Sequence, residues 1–168
     1  LASGFSAVLD SPVAATSLAA QWRAEIQRRA EARLKSAKAK TARDSLADFA
    51  LWVHPEYEAT YSAHHAFLIE ALGQVESGEV RRLMVFMPPG SAKSTYIAEL
   101  FPSWCLGRNP GWNVIYATYG SKLSKRWGRR ARQVVGSPAY REIFEHGLST
   151  SLSAADEWQT EAGGEYLA

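Results

Sequence analysis

MPPGSAKST, residues 87–95, decides how the rest of the chain is read. It ends in Lys93-Ser94-Thr95, opens with Met87-Pro88-Pro89-Gly90, and follows the apolar run LMVFM, residues 83–87. A phosphate-binding loop of the pattern G-x-x-x-x-G-K-S/T joins a buried strand to a helix in the same way. Two of the four fixed positions depart from that pattern. Counting back from Lys93, the glycine positions hold Met87 and Ala92.

The flanks favour the loop over a plain Pro-Gly turn with an exposed lysine. LMVFM, bounded by Arg82 and Pro88, fits a buried parallel strand. After the loop, Ile97, Leu100, Phe101, Trp104 and Cys105 recur at helical spacing, with Pro102 expected to kink or divide the helix and Gly107 to end it. RNPG, 108–111, is a turn, and NVIYATY, 113–119, reads as a second strand. Gly120-Ser121 starts a helix whose apolar stripe is Leu123, Trp127, Ala131 and Val134. The order strand, loop, helix, strand, helix predicts an α/β domain with a parallel sheet and right-handed crossovers.

Upstream, Phe67, Leu68, Leu72 and Val75 mark an amphipathic helix closed by Ser77-Gly78. Before it lies the polar, aromatic connector HPEYEATYSAHH, 54–65. Residues 17–50 read as one helix, because no Gly or Pro interrupts from Ser17 to Val53. Its apolar residues, Trp22, Ile26 and Leu34, are sparse. That predicts a solvated arm, or an arm that docks on DNA or a partner protein. Residues 1–16 are expected to be loose.

Charge is segregated within a chain of formal net charge +2. Residues 21–43 hold eight Lys/Arg and two Glu; residues 121–132 hold six Lys/Arg and no acid; residues 133–168 hold one Arg and six acids. Two basic blocks on a nearly neutral chain point to local contact with a polyanion. The single cysteine, Cys105, excludes an internal disulfide. No apolar run approaches the ~20 residues that span a bilayer, so no membrane partner is expected. A start at Leu1 rather than Met is read as that of a fragment.

The chemistry of the loop follows from its position. A helix start leaves unpaired N–H groups and a positive dipole end facing the anion. Pro89, Gly90, Ser91, Ala92, Lys93, Ser94 and Thr95 would wrap the phosphates. Lys93 adds a mobile charge, and the Ser94 hydroxyl takes a Mg²⁺ position. The loop's glycines matter where φ must be positive or the backbone must come close. Ala92 adds only a methyl group, Gly90 supplies freedom two residues earlier, and Pro88-Pro89 fixes an extended exit from the strand.

RRLMVFMPPGSAKST, followed by LFPSWCLGRNPGWNVIYATYGSKLSKRWGRRAR, resembles the ATPase motor of a tailed-phage terminase large subunit. HHAFLIEALGQVESGEVRR is similar to that family's pre-loop helix, and EWQTEAGG, 157–164, to a stretch preceding its acidic strand. The resemblance covers about residues 48–168, after a helical N-terminal arm over 1–47. It implies an α/β P-loop NTPase fold of the RecA/ASCE type, here incomplete. It further implies ATP and Mg²⁺ as cofactors, with Lys93 catalytic and His65 near the nucleotide base. The whole protein would be a DNA-packaging ATPase with a C-terminal nuclease. It would act on double-stranded DNA as a ring, a pentamer, with a small terminase subunit and the portal protein, in the host cytoplasm at the procapsid. Neither LMVFM nor NVIYATY ends in the acid that holds Mg²⁺. The Walker B acid, the catalytic Glu and the nuclease carboxylates are therefore expected beyond Ala168, and residues 1–168 alone are expected to bind nucleotide weakly at best and to hydrolyse essentially no ATP. Another P-loop DNA motor, helicase-like, and a non-catalytic nucleotide- or DNA-binding module are the alternatives.

On the helix after NVIYATY, Lys122, Arg126, Arg129 and Arg130 fall at i, i+4, i+7 and i+8, one positive face. Three readings stand: DNA or partner contact, an arginine reaching a neighbouring subunit's nucleotide, and a solvated face. His64-His65 carries three more: a metal site, a contact to the base by His65, and a surface or capping role.

Overall fold

The computed structural model describes residues 12–168. The chain divides into two compact units, Leu1–Lys38 and Ala39–Ala168. The first holds most of helix α1, Pro12–Asp44. Trp22, Ile26 and Leu34 are exposed on it, and Glu25 pairs with Arg28 and Arg29 one turn on. Residues 12–16, expected to be loose, are helical; residues 1–11 lie outside the described residues.

The second unit takes α1 from Ala39 onward, and Ala39 and Ala42 enter its core. The single helix expected over 17–50 is two. Ser45 leaves helical geometry at φ −130°, ψ 121°, and its Oγ accepts the Asp48 N–H at 3.2 Å, so it caps α2, Leu46–Val53. Serine breaks a helix as effectively as glycine when its hydroxyl satisfies the next helix's orphan N–H. A 3₁₀ turn, Pro55–Thr60, leads to α3, Ala63–Glu76, which ends at Ser77-Gly78 as the sequence indicates.

The helix after the loop runs from α4, Lys93–Thr95, through a π-helical turn, Tyr96–Leu100, into α5, Phe101–Arg108. The widened turn lies just before Pro102, whose missing N–H cannot close an α-helical bond to Ala98; the Phe101 N–H reaches back to the Tyr96 carbonyl instead. Gly107 serves packing more than termination. A Cβ there would sit 2.5 Å from the Phe144 ring. Helices α6, Ser121–Val135, and α7, Pro138–Phe144, follow strand β1, Asn113–Ile115.

Three further strands, absent from the sequence reading, complete one sheet: β2, Leu148–Ser153, β3, Glu157–Thr160, and β4, Glu165–Leu167. The order is β1-β4-β3-β2. Only β1 and β4 are parallel; β3 pairs antiparallel with both β4 and β2. The expected all-parallel sheet is therefore a small mixed one. β4 reaches β1 as the return arm of a tight hairpin, and hairpin arms must run antiparallel. Trp158 and Tyr166, opposite each other across that hairpin, stack at 4.8 Å and are fully buried. The Trp158 indole N–H donates to the Gly128 carbonyl at 3.2 Å, tying α6 to the sheet. A Cβ on Gly128 would meet the Ala155 carbonyl oxygen at 2.5 Å, so this approach needs glycine.

LMVFM, expected as a buried strand, is extended but pairs with no strand among the described residues. Leu83 and Val85 line a cavity of about 400 Å³ together with Tyr116, which follows β1. The pleat of LMVFM is still that of a strand. Val85 and Met87 pack on the core, while Met84 and Phe86 face outward, 78% and 84% exposed. Ile115 on β1 is likewise 76% exposed, although Val114 and Tyr116 face the core.

Candidate functional site: the loop between Met87 and Lys93

The loop takes left-handed backbone at two positions, only one of them a glycine. Gly90 has φ +83°, and Ala92 has φ +54°, ψ 11°, the left-handed region. An L-residue with a Cβ holds that conformation at a cost of ~1–2 kcal/mol. Ala92 is thus more than a small substitute for glycine: it adopts the strained geometry that favours glycine. The Ser91 N–H points back to the Pro88 carbonyl at 3.4 Å, and the Tyr96 N–H closes the first helical bond on Ala92 at 3.1 Å.

Residues 87–95 form one wall of an open cavity of about 600 Å³; Arg126 and Trp127 form the other. The Lys93 ammonium donates to the Met87 carbonyl at 3.4 Å, across the mouth of the loop. The Ser94 side chain is exposed at the first turn. Ser91 Oγ is buried and has no hydrogen-bond partner. A buried hydroxyl without a protein partner, in a residue that lines the same cavity as Lys93, is a polar atom that an anion would satisfy. Lys93 and the hydroxyls of Ser91, Ser94 and Thr95 all line this cavity, a donor set whose chemistry fits a phosphate group and its metal. Among the described residues, no group of three or more His, Cys, Asp or Glu side chains is arranged to hold a metal ion.

His65 lies behind the loop, 6% exposed. Its Nδ1 accepts the Ser62 N–H at 3.2 Å, completing a capping box for α3, and its ring lies 5.2 Å from that of Tyr96. Burial, and then the neighbouring His64, hold its pKa below the ordinary value; the Ser91 backbone opposes them. The ring is therefore neutral near pH 7. Since Nδ1 is the acceptor, the proton sits on Nε2, which is buried and feels the Ser91 backbone without closing a full hydrogen bond on it.

The four basic residues of α6 have different surroundings. Arg130 turns inward: its Nε lies 2.7 Å from Oε2 of Glu99, which is 3% exposed. The other Glu99 oxygen lies 3.3 Å from His54 Nε2, and His54 Nδ1 lies 3.0 Å from Glu56. The hydrogen bond to Glu99 is the main reason the His54 pKa is raised. Arg126 faces the loop cavity. Arg129 lines a separate groove of about 400 Å³ with Arg132, Gln133 and Leu148. Lys122 is exposed, and neither it, Arg126 nor Arg129 makes an ion pair among the described residues.

Glu99, His54 and Trp127 escaped the sequence reading as site residues. The signal for Glu99 was available: a lone carboxylate inside the apolar run from Ile97 to Phe101 must be buried with a partner or break the helix face. Its partners, 31 residues ahead and 45 behind, were not readable from spacing. Comparison with family models, with curated proteins and with solved structures finds no match to this chain.

Proposed function

We propose that this chain is the nucleotide-binding part of a DNA-packaging motor of the terminase large-subunit kind, with a P-loop fold that binds ATP with Mg²⁺. The observation that carries the nucleotide reading is the loop. Gly90 and Ala92 take left-handed backbone immediately before Lys93-Ser94, facing a cavity with cationic groups on both walls. Such a cradle binds phosphate through backbone N–H groups and a lysine charge. Bound ATP supplies the phosphoanhydride whose hydrolysis drives motion in such motors. The chain's own part is to hold and orient the phosphate chain.

The motor reading rests on the ordered motifs from His64 to Gly164 and on the basic helix beside the loop. In the full-length protein, the partners would be double-stranded DNA, a small terminase subunit and the portal protein, in a homo-oligomeric ring, with a nuclease domain cutting concatemers. The cell compartment would be the host cytoplasm. No helix among the described residues is long and apolar enough to cross a membrane.

No Asp or Glu lines the loop cavity. Residues 1–168 should therefore retain nucleotide without turning it over, because metal-assisted hydrolysis needs a carboxylate for Mg²⁺ and one for the attacking water. Labelled ATP with Mg²⁺ tests both statements. Retention by the wild type, its loss in Lys93→Ala and the absence of released phosphate are expected. Retention unchanged by Lys93→Ala, or rapid phosphate release, would count against the reading.

A further inference from the structure

The cavity of the loop has a second cationic wall. Lys93 approaches from the helix start, with its ammonium 3.4 Å from the Met87 carbonyl. Arg126 approaches from α6, on the far side. Its neighbours are committed elsewhere: Lys125 to Asp156 at 3.1 Å, Arg130 to Glu99 at 2.7 Å, and Arg129 to a different groove. Arg126 makes no ion pair among the described residues. Its guanidinium lies 5.9 Å from the Trp127 ring.

Trp127 lines the cavity beside Arg126. The Arg130 guanidinium also lies over its ring, 5.1 Å from the centroid. Arg130 is held by Glu99 on the helix that follows the loop. The ring thus has beside it one arginine paired with Glu99 and one that makes no ion pair among the described residues. A guanidinium is planar, permanently charged and able to bind two phosphate oxygens at once. Lys93 alone offers one point charge to a phosphate chain that carries several.

We propose that Arg126 is a second cationic ligand of the phosphate chain, supplied by the same chain as the loop, and that the site selects nucleoside di- and triphosphates over monophosphates. The proposal rests on the nucleotide reading above. It takes Arg126 out of the DNA-contact set and leaves Lys122 and Arg129 in it. Arg126 serves binding and selectivity; no step of chemistry is assigned to it.

The test is displacement of a fluorescent ATP analogue from the full chain by ATP, ADP and AMP. The wild type is compared with Arg126→Gln, Arg126→Lys and Arg129→Gln. Loss of a charge-assisted contact of this kind corresponds to roughly tenfold in affinity. Arg126→Gln should weaken ATP and ADP by about that factor and AMP by less than about twofold. Arg126→Lys should recover part of the loss, and Arg129→Gln should match the wild type. If the wild type binds no nucleotide, the nucleotide reading fails and this proposal with it. If the wild type binds ATP and Arg126→Gln binds it equally well, or loses ATP and AMP alike, this proposal alone is overturned. Because Arg126 is exposed, its variants should keep the wild-type melting temperature.

Discussion

Arg130 and Glu99 join the basic helix to the helix of the loop through a contact of 2.7 Å, with the carboxylate almost wholly buried and the guanidinium about one-third exposed. Removing either partner is not equivalent. Arg130→Met leaves a buried carboxylate with only His54 beside it and should cost about 2–3 kcal/mol. Glu99→Gln leaves a cation that can still turn to water and should cost nearer ~1 kcal/mol. Urea unfolding of both single variants and the double variant measures the order and the coupling. An Arg130 variant less harmful than the Glu99 variant would contradict this account.

His54 gives that network a pH dependence. Its folded pKa is raised, chiefly by the hydrogen bond to Glu99, with Glu56 adding to it and burial opposing. The stabilisation is therefore fully present below the unfolded value near 6.5 and is lost as pH rises through the folded value. His65 has the opposite sign: its depressed pKa gives stability that is present above about 6.5 and is lost as pH falls through the folded value. The stability gap between wild type and His54→Gln should thus shrink from about pH 6 to 8, and the gap to His65→Gln should widen from about pH 5 to 7. Denaturant midpoints across that range read both. Parallel trends for the two variants would refute the assignment.

Ala92 and Gly90 make a matched pair. Both have positive φ, but only one carries a Cβ. Ala92→Gly relieves left-handed strain at some cost in chain entropy, for a net gain of roughly 0.5 kcal/mol. Gly90→Ala introduces the strain and should lose roughly 1 kcal/mol, although open space surrounds the added methyl. Thermal denaturation of the two variants tests the loop's backbone independently of any ligand. A loss on Ala92→Gly would mean that the loop is not left-handed there.

Much of this loop was legible because local chemistry determines it. A Pro-Pro-Gly exit, a lysine and hydroxyls before an apolar helical stripe admit few conformations, and the boundaries of α3 and α6 followed from Ser77-Gly78 and Gly120-Ser121. What failed depended on partners distant in sequence. LMVFM has strand composition, but a strand exists only if a neighbour hydrogen-bonds it, and no described segment does. The tail from Leu148 to Leu167 is rich in serine and acid, so its three strands were invisible until Trp158 and Tyr166 stacked across the hairpin. Helical spacing grouped the four basic residues of α6 and did not separate Arg130 from the rest. Helical spacing shows which side a residue is on, but not that Glu99 waits there for Arg130.

DNA contact, if it occurs through α6, should now run through Lys122 and Arg129. Charge reversal of both by glutamate should weaken binding of double-stranded DNA by the full chain across all sequences. It should also flatten the dependence of log K on log salt by about two contacts' worth, a slope change near 2. Fluorescence anisotropy at several salt concentrations provides both numbers. Unchanged affinity and slope would remove α6 from the DNA interface.

Calorimetric titration of the full chain with ATP·Mg²⁺ and with adenosine tests most directly whether the loop between Met87 and Lys93 holds a phosphate chain. Two charge-assisted contacts at the loop predict that ATP binds at least about a hundredfold more tightly than adenosine. Equal affinities for the two, or no heat of binding with ATP, would contradict it.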